Sequence, residues 1–368
     1  MEKKIREILG LADIKINGNR PQDIKVHDSK FYNSVFSGGS LALGEAYVDG
    51  MWDCDDLEGF FYKVLRADLQ SKVKKSSYLI MKMIQSFFMN LQSNKRAFQV
   101  GERHYDLGND LYEAMLDKRM VYTCAYWRNA KDLDKAQEDK LDLVCRKLGL
   151  KPGMTVLDIG CGWGSFAKFA AEKYKVKVVG VTVSKEQVLL AREKCKVLPV
   201  KIILEDYREI NGKFDRIVSL GMFEHVGPKN YRDYMQVVRR CLKDEGLFLL
   251  HTIGSNFPSS YTDPWIEKYI FPNSYIPSAS QITKSYEKLL VMEDWHNFGD
   301  DYAKTLVAWD KRFRGNWHKL KDKYGEKFYR MWHYYLLCCA GAFRAREIQL
   351  WQIVFSKRGV DDGYKSIR

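Results

Sequence analysis

Residues 156–164, Val156-Leu157-Asp158-Ile159-Gly160-Cys161-Gly162-Trp163-Gly164, constrain the fold more than any other stretch of the chain. An apolar run that ends in Asp and passes into alternating glycines describes a strand turning sharply into a helix. Glycine lacks the Cβ that would hold a ligand off the backbone, and it accepts the positive φ angles of a tight turn. The helix that follows offers unpaired N–H groups at its start. A strand, a glycine turn and a helix in that order predict a nucleoside-type ligand at the carboxyl end of a parallel sheet.

The dinucleotide fingerprint requires G-x-G-x-x-G, whereas this chain carries G-x-G-x-G with an acidic residue two places before the first glycine. That arrangement resembles the S-adenosylmethionine (AdoMet) loop of class I methyltransferases. From residue 137 the pattern alternates between helix and strand. Leu141, Val144, Cys145 and Leu148 mark a helix, and strands are predicted at about 154–159, 176–183, 200–204, 214–220 and 246–252. The run Ile348–Phe355 completes the sheet. The predicted class is α/β, a Rossmann-like doubly wound and mostly parallel sheet with an antiparallel last strand, preceded by a small α+β N-terminal domain.

At 368 residues with 46% apolar content, the chain can bury one large core or two domains. Residues 1–91 read as an N-terminal domain for lipid docking or dimerisation. Within it Ile80, Ile84, Phe87, Phe88 and Leu91 share a helical face near Lys72, Lys74, Lys75 and Lys82. Residues 92–103 read as a linker and 104–368 as the catalytic domain. Two insertions at 253–280 and 301–346 exceed what the core needs. The second holds eleven aromatics in forty-six residues, which suits an apolar roof over the nucleoside site.

Sixty basic against forty-seven acidic residues give a net charge of +13, so the surface attracts polyanions, either nucleic acid or anionic headgroups. No apolar leader and no run of eighteen apolar residues is visible, which predicts a cytoplasmic protein. The eight cysteines lack C-x-x-C pairing, so neither zinc nor disulfides are expected, and no metal site is assigned.

Six separated motifs then point to one family. They are Arg103-His104-Tyr105-Asp106-Leu107-Gly108-Asn109-Asp110, Tyr122-Thr123-Cys124-Ala125-Tyr126-Trp127, the loop at 156–164, Gly180-Val181-Thr182-Val183-Ser184, Phe223-Glu224-His225-Val226-Gly227 and Cys339-Ala340-Gly341-Ala342-Phe343-Arg344. In that order they make the chain resemble the bacterial cyclopropane-fatty-acyl-phospholipid synthases, mycolic acid cyclopropane synthase-like class I methyltransferases, from about residue 40 to the end.

The resemblance implies that AdoMet donates its methyl group to the cis double bond of an unsaturated acyl chain. It implies a bound bicarbonate as the base that deprotonates the resulting carbocation. The anion would be held by the Cys124 region, Glu224, His251, the backbone at Ile253, and Tyr302. Glu224 would accept the O–H that bicarbonate keeps, while His251 and Tyr302 would donate. Cys339, in an apolar helix, is assigned to pocket lining.

For AdoMet, Asp158, Gly160 and Gly162 form the loop for the methionine portion and ribose, with Tyr122 and Thr123 closing from upstream. The second strand ends in Val181-Thr182-Val183-Ser184 and not in an acidic residue, so Thr182 and Gln187 would bind the ribose with neutral groups. Asp206 and Tyr207 would flank the adenine. The implied partners are an anionic phospholipid surface at the inner face of the cytoplasmic membrane, an unsaturated phospholipid, and a second copy of the chain. The rival readings are a methyltransferase that makes methyl-branched lipids or N-methylates a small amine, an RNA methyltransferase, and a lipid-binding protein without activity. No RNA-binding module is visible, so no nucleic-acid partner is expected.

Overall fold

The computed structural model describes residues 1–68, 108–258 and 262–368. The predicted basic helix around residues 80–91 and the linker at 92–103 lie outside the described residues. The described residues group into two compact units. One draws on 1–68, 262–272 and 302–348, and the other on 108–258, 273–301 and 349–368.

In the first unit, α1 (Glu2–Gly10) precedes a two-stranded antiparallel ribbon of β1 (Ile24–Val26) and β2 (Trp52–Cys54). Between the strands runs α2 (Lys30–Val48), kinked at Gly39, and α3 (Leu57–Arg66) follows them. Two elements from the predicted insertions pack into this unit, a short helix at Pro264–Tyr269 and a long helix at Lys321–Arg344. The fit is aromatic: the Tyr334 ring lies 5.4 Å from Tyr47, 5.2 Å from Phe61 and 4.6 Å from Trp265. Arg330 adds hydrogen bonds to the carbonyls of Tyr47 and Trp52 and to the Asp53 carboxylate. Sequence reading attached both insertions to the catalytic domain. Tyr334 meets the N-terminal helices, a long-range pairing that composition does not reveal, while most other rings of 301–346 pack on one another.

The second unit is built on a seven-stranded sheet. In chain order after the ribbon, its strands are β3 (Thr155–Ile159), β4 (Lys177–Thr182), β5 (Val200–Leu204), β6 (Phe214–Leu220), β7 (Leu242–Ser255), β8 (Val291–Asn297) and β9 (Ile348–Ser356). The spatial order is β5-β4-β3-β6-β7-β9-β8, with β3 to β7 running parallel to one another and β8 antiparallel to β9. Alternate β3 residues serve opposite faces, as the two-residue period of a strand requires. Val156 packs with Leu141, Val144 and Phe166, while Leu157 and Ile159 pack with Ile217, Tyr234 and Val238. The chain reverses its winding direction between β3 and β6. That switch point, outside the carboxyl ends of the strands, is where open α/β sheets bind ligands.

Candidate active site

The glycine turn sits at the switch point. Gly160, Gly162 and Gly164 have φ of +81°, +54° and +77°, all in the left-handed region, and Gly164 starts the helix Ser165–Tyr174. A Cβ on Gly160 would lie 2.7 Å from Met222, so the position needs glycine for space as well as for its dihedral. The turn opens onto a cavity, and all nine residues assigned to AdoMet from the sequence line it: Tyr122, Thr123, Asp158, Gly160, Gly162, Thr182, Gln187, Asp206 and Tyr207.

Several side chains in the cavity hold one another in place. The Thr182 hydroxyl donates to Gln187 Oε1 at 2.8 Å, tying the end of β4 to the helix after it. Asp206 accepts the backbone N–H of Arg208, whose guanidinium lies over the Tyr207 ring. The upstream segment is fastened by the helix Leu133–Lys147, from which Gln137 Nε2 donates to the Thr123 carbonyl at 2.8 Å and Lys140 Nζ to Thr123 Oγ1 at 2.8 Å. Asp158 is buried with Oδ2 unpartnered, and burial pushes its carboxyl up to about 7 against the opposing pull of Lys140.

Glu224, His251, Ile253 and Cys124 do not line this cavity but belong to the same unit. Glu224 follows β6 in a one-turn helix, Phe223–His225, and its Oε1 accepts the backbone N–H of Ile253 at 2.7 Å. Its Oε2 is buried and unpartnered, and burial pushes the carboxyl up to about 7. His251, on β7, faces Leu220 across the sheet, and its carbonyl accepts the N–H of Gly221. Leu220 and Gly221 line the cavity, so the polar set adjoins it. Gln352 Nε2 meets His251 Nδ1 at 3.3 Å, which makes Nδ1 the acceptor and leaves the ring proton on Nε2. That nitrogen is buried without a partner, and burial, with Lys140 and Lys147 nearby, holds the ring well below its usual pKa and therefore neutral. Cys124 is fully buried and its thiol donates to the Ala125 carbonyl at 3.1 Å.

Tyr302 and Cys339 belong to the first unit. Tyr302 stacks on Phe343 with ring centroids 4.4 Å apart, and Cys339 is half-buried on the helix Lys321–Arg344. Burial holds the neighbouring Cys338 thiol well above its ordinary value and protonated. The Ile253 N–H is donated to Glu224 and orients that carboxylate.

Sequence reading missed Lys140 and Gln352. Both carried a signal. Leu133, Ala136, Gln137, Lys140, Leu141 and Val144 share the buried stripe of one helix, and a lysine on a core stripe needs a reason. Gln352 interrupts a strand that is otherwise largely apolar and is fully buried.

Sheet order, glycine turn and cavity together define a class I AdoMet-dependent methyltransferase fold. Coclaurine N-methyltransferase bound to N-methylheliamine and SAH shares that fold, with a TM-score of 0.72 at 22% identity over 86% of this chain and 99% of that one. A family profile described as mycolic acid cyclopropane synthetase matches residues 92–353. The cyclopropane-fatty-acyl-phospholipid synthase of Escherichia coli K12 is 56% identical over 362 residues, covering 98% of this chain and 94% of that protein. A solved mycolic acid cyclopropane synthase complexed with SAH and CTAB superposes with a TM-score of 0.67 at 33% identity, over 71% of this chain and 98% of that one. The chain belongs to the mycolic acid cyclopropane synthetase family.

Proposed function

We infer that this chain is an AdoMet-dependent cyclopropane-fatty-acyl-phospholipid synthase, acting on the cis double bond of unsaturated acyl chains. The observation that carries the reading is the full-length likeness to a synthase of that activity, which spans the cavity and the adjoining polar set alike.

The reaction explains the polar set. An alkene is a weak nucleophile with no proton to shed at the outset. As its π electrons take the AdoMet methyl carbon, the C–S bond breaks, S-adenosylhomocysteine (SAH) forms, and a carbocation is left on the other alkene carbon. Loss of a proton from the transferred methyl closes the ring. Glu224 Oε2 offers an acceptor and His251 Nε2–H a donor, both buried and unengaged, which matches an anion that keeps one O–H. Those two groups would hold bicarbonate, with Cys124 in the same role as in the family resemblance. When bound, that anion supplies a base that the cation does not alkylate irreversibly. The neutral His251 ring adds no positive charge that would oppose the cation.

The +13 net charge suits reversible visits to an anionic membrane surface, with about 1 kcal/mol per Lys or Arg near the headgroups. No described helix is long and apolar enough to cross a membrane. Residence in the cytoplasm with peripheral membrane association, and pairing of two chains, complete the proposal. Incubating the protein with AdoMet and vesicles of unsaturated phospholipid tests it. Olefinic proton signals are expected to disappear as cyclopropane methylene signals grow. Unchanged lipid, or a methyl-branched product, contradicts the reading.

A further inference from the structure

Lys140 is the feature of the cavity that the proposed chemistry leaves unused. Its side chain is fully buried, in the middle of the helix Leu133–Lys147, and it lines the cavity beside Asp158, Tyr122 and Thr123. Among the described residues its one hydrogen bond goes to Thr123 Oγ1, so an ammonium with three donors has two to spare. Desolvating an ammonium to this degree is costly unless an anion meets it. Asp117, Cys124 and Asp158 act electrostatically on it, and His251 feels the lysine as well. None forms an ion pair with Lys140 within 4 Å. Asp117 spends both carboxylate oxygens on the backbone N–H groups of Arg119 and Val121. Asp158 keeps Oδ2 unpartnered in the same cavity.

The cavity therefore presents one under-used cation and one under-used carboxylate on its inner wall. An α-amino acid end carries the complementary pair of charges, and the co-substrate proposed above has such an end. We propose that Lys140 receives the α-carboxylate of the AdoMet methionine arm, while Asp158 faces its α-ammonium. This rests on the reading of the cavity as the AdoMet site. Lys140 is thereby a binding residue of the co-substrate, beyond its task of fastening Thr123. In the free protein burial draws both groups toward neutrality, Lys140 down to about 8 and Asp158 up to about 7. The zwitterion restores a counter-ion to each.

The test compares two ligands that differ by one group, SAH and its decarboxylated analogue S-adenosyl-3-thiopropylamine, by calorimetry. A charge-assisted bond of this kind corresponds to about tenfold or more in affinity. Wild-type protein is expected to prefer SAH by roughly that factor, and Lys140→Met to bind the two alike by losing affinity for SAH only, with Lys140→Arg retaining part of the preference. Equal loss of both ligands in Lys140→Met overturns the assignment and leaves the lysine a structural role. The wild type alone gives a second reading should that variant fail to fold. Its preference for SAH over the analogue is expected to shrink as pH rises through about 8, where free Lys140 loses its proton, whereas Asp158 acts on the ammonium of both ligands and cancels from the ratio. A preference that is absent, or constant across that range, overturns the proposal. If 5′-methylthioadenosine, which lacks the whole amino-acid arm, and SAH both fail to bind, the reading of the cavity itself falls.

Discussion

Glu224 Oε1 accepts the backbone N–H of Ile253 at 2.7 Å, and this bond turns Oε2 of the same carboxyl into a buried position with no partner. The contact spans the turn after β6 and the carboxyl end of β7, neighbours in the sheet whose register brings Leu220 opposite His251. An acceptor poised in this way is useful only in its charged form. Replacing it by Gln keeps the shape and one oxygen but supplies an N–H where an acceptor stood. Glu224→Gln is expected to lower turnover by about a hundredfold or more, the usual scale for a group acting in proton transfer. Its affinity for SAH is expected to stay within about twofold, since Glu224 does not line the cavity. Parallel turnover and calorimetric measurements separate the two effects, and equal losses would move Glu224 into the co-substrate site.

The same carboxyl gives a pH dependence of definite sign. Burial raises its pKa from 4.5 to about 7, so the catalytically useful carboxylate grows as pH rises through about 7, and turnover is expected to rise with it. Stability moves the other way. Between about pH 4.5 and 7 the folded protein keeps a proton that the unfolded chain has lost, so unfolding free energy falls as pH rises across that window. Glu224→Gln is expected to gain stability over wild type by up to about 3 kcal/mol at pH 8 and by much less at pH 5. Urea unfolding at both pH values measures the difference, with Asp158 contributing a slope of the same sign to both proteins.

Gly160 offers a steric test. Alanine there would bring a Cβ to 2.7 Å from Met222 at a φ of +81°, while Gly153, at +85°, has open space around its missing Cβ and does not line the cavity. Both alanine variants are expected to lose about 1–3 kcal/mol for the strained dihedral. Only Gly160→Ala is expected to lose SAH affinity as well. Thermal denaturation and calorimetry on the pair check this.

Gln352 positions His251 and touches no reactant in this account. With the amide nitrogen against Nδ1, the ring proton is held on Nε2, the atom proposed to donate. Gln352→Leu frees the tautomer. Turnover is expected to fall about tenfold with SAH affinity unchanged, and the ¹⁵N shifts of the His251 ring are expected to move from an Nε2–H pattern toward a mixture. A fall in turnover with an unchanged ring spectrum would show that Gln352 serves packing alone.

Much of the catalytic unit was legible because its signals are local. Strand limits at 200–204 and 214–220 coincide with β5 and β6, since short apolar runs between turn residues leave few alternatives. The nine residues assigned to AdoMet share one cavity because the glycine turn and the switch point fix where loops from different strands converge. Relationships made by distant segments were not legible. The pairing of Tyr334 with Tyr47, Phe61 and Trp265 brings part of each insertion into the N-terminal unit, and nothing in aromatic content says which partner an aromatic face will find. The bond from the Ile253 N–H to Glu224 spans 29 positions of sequence and depends on the β6–β7 register. Lys140 and Gln352 were visible as polar residues at buried positions, but each takes its meaning from a neighbour that only the fold supplies.

The fate of the transferred methyl hydrogens separates ring closure from simple methyl branching. Protein supplied with AdoMet carrying a fully deuterated methyl group and with unsaturated phospholipid vesicles is expected to yield a cyclopropane lipid retaining two deuterons on the ring methylene, with the third released to solvent. A lipid that keeps all three deuterons as a methyl branch, with its double bond moved but present, would contradict ring closure by deprotonation of the transferred carbon.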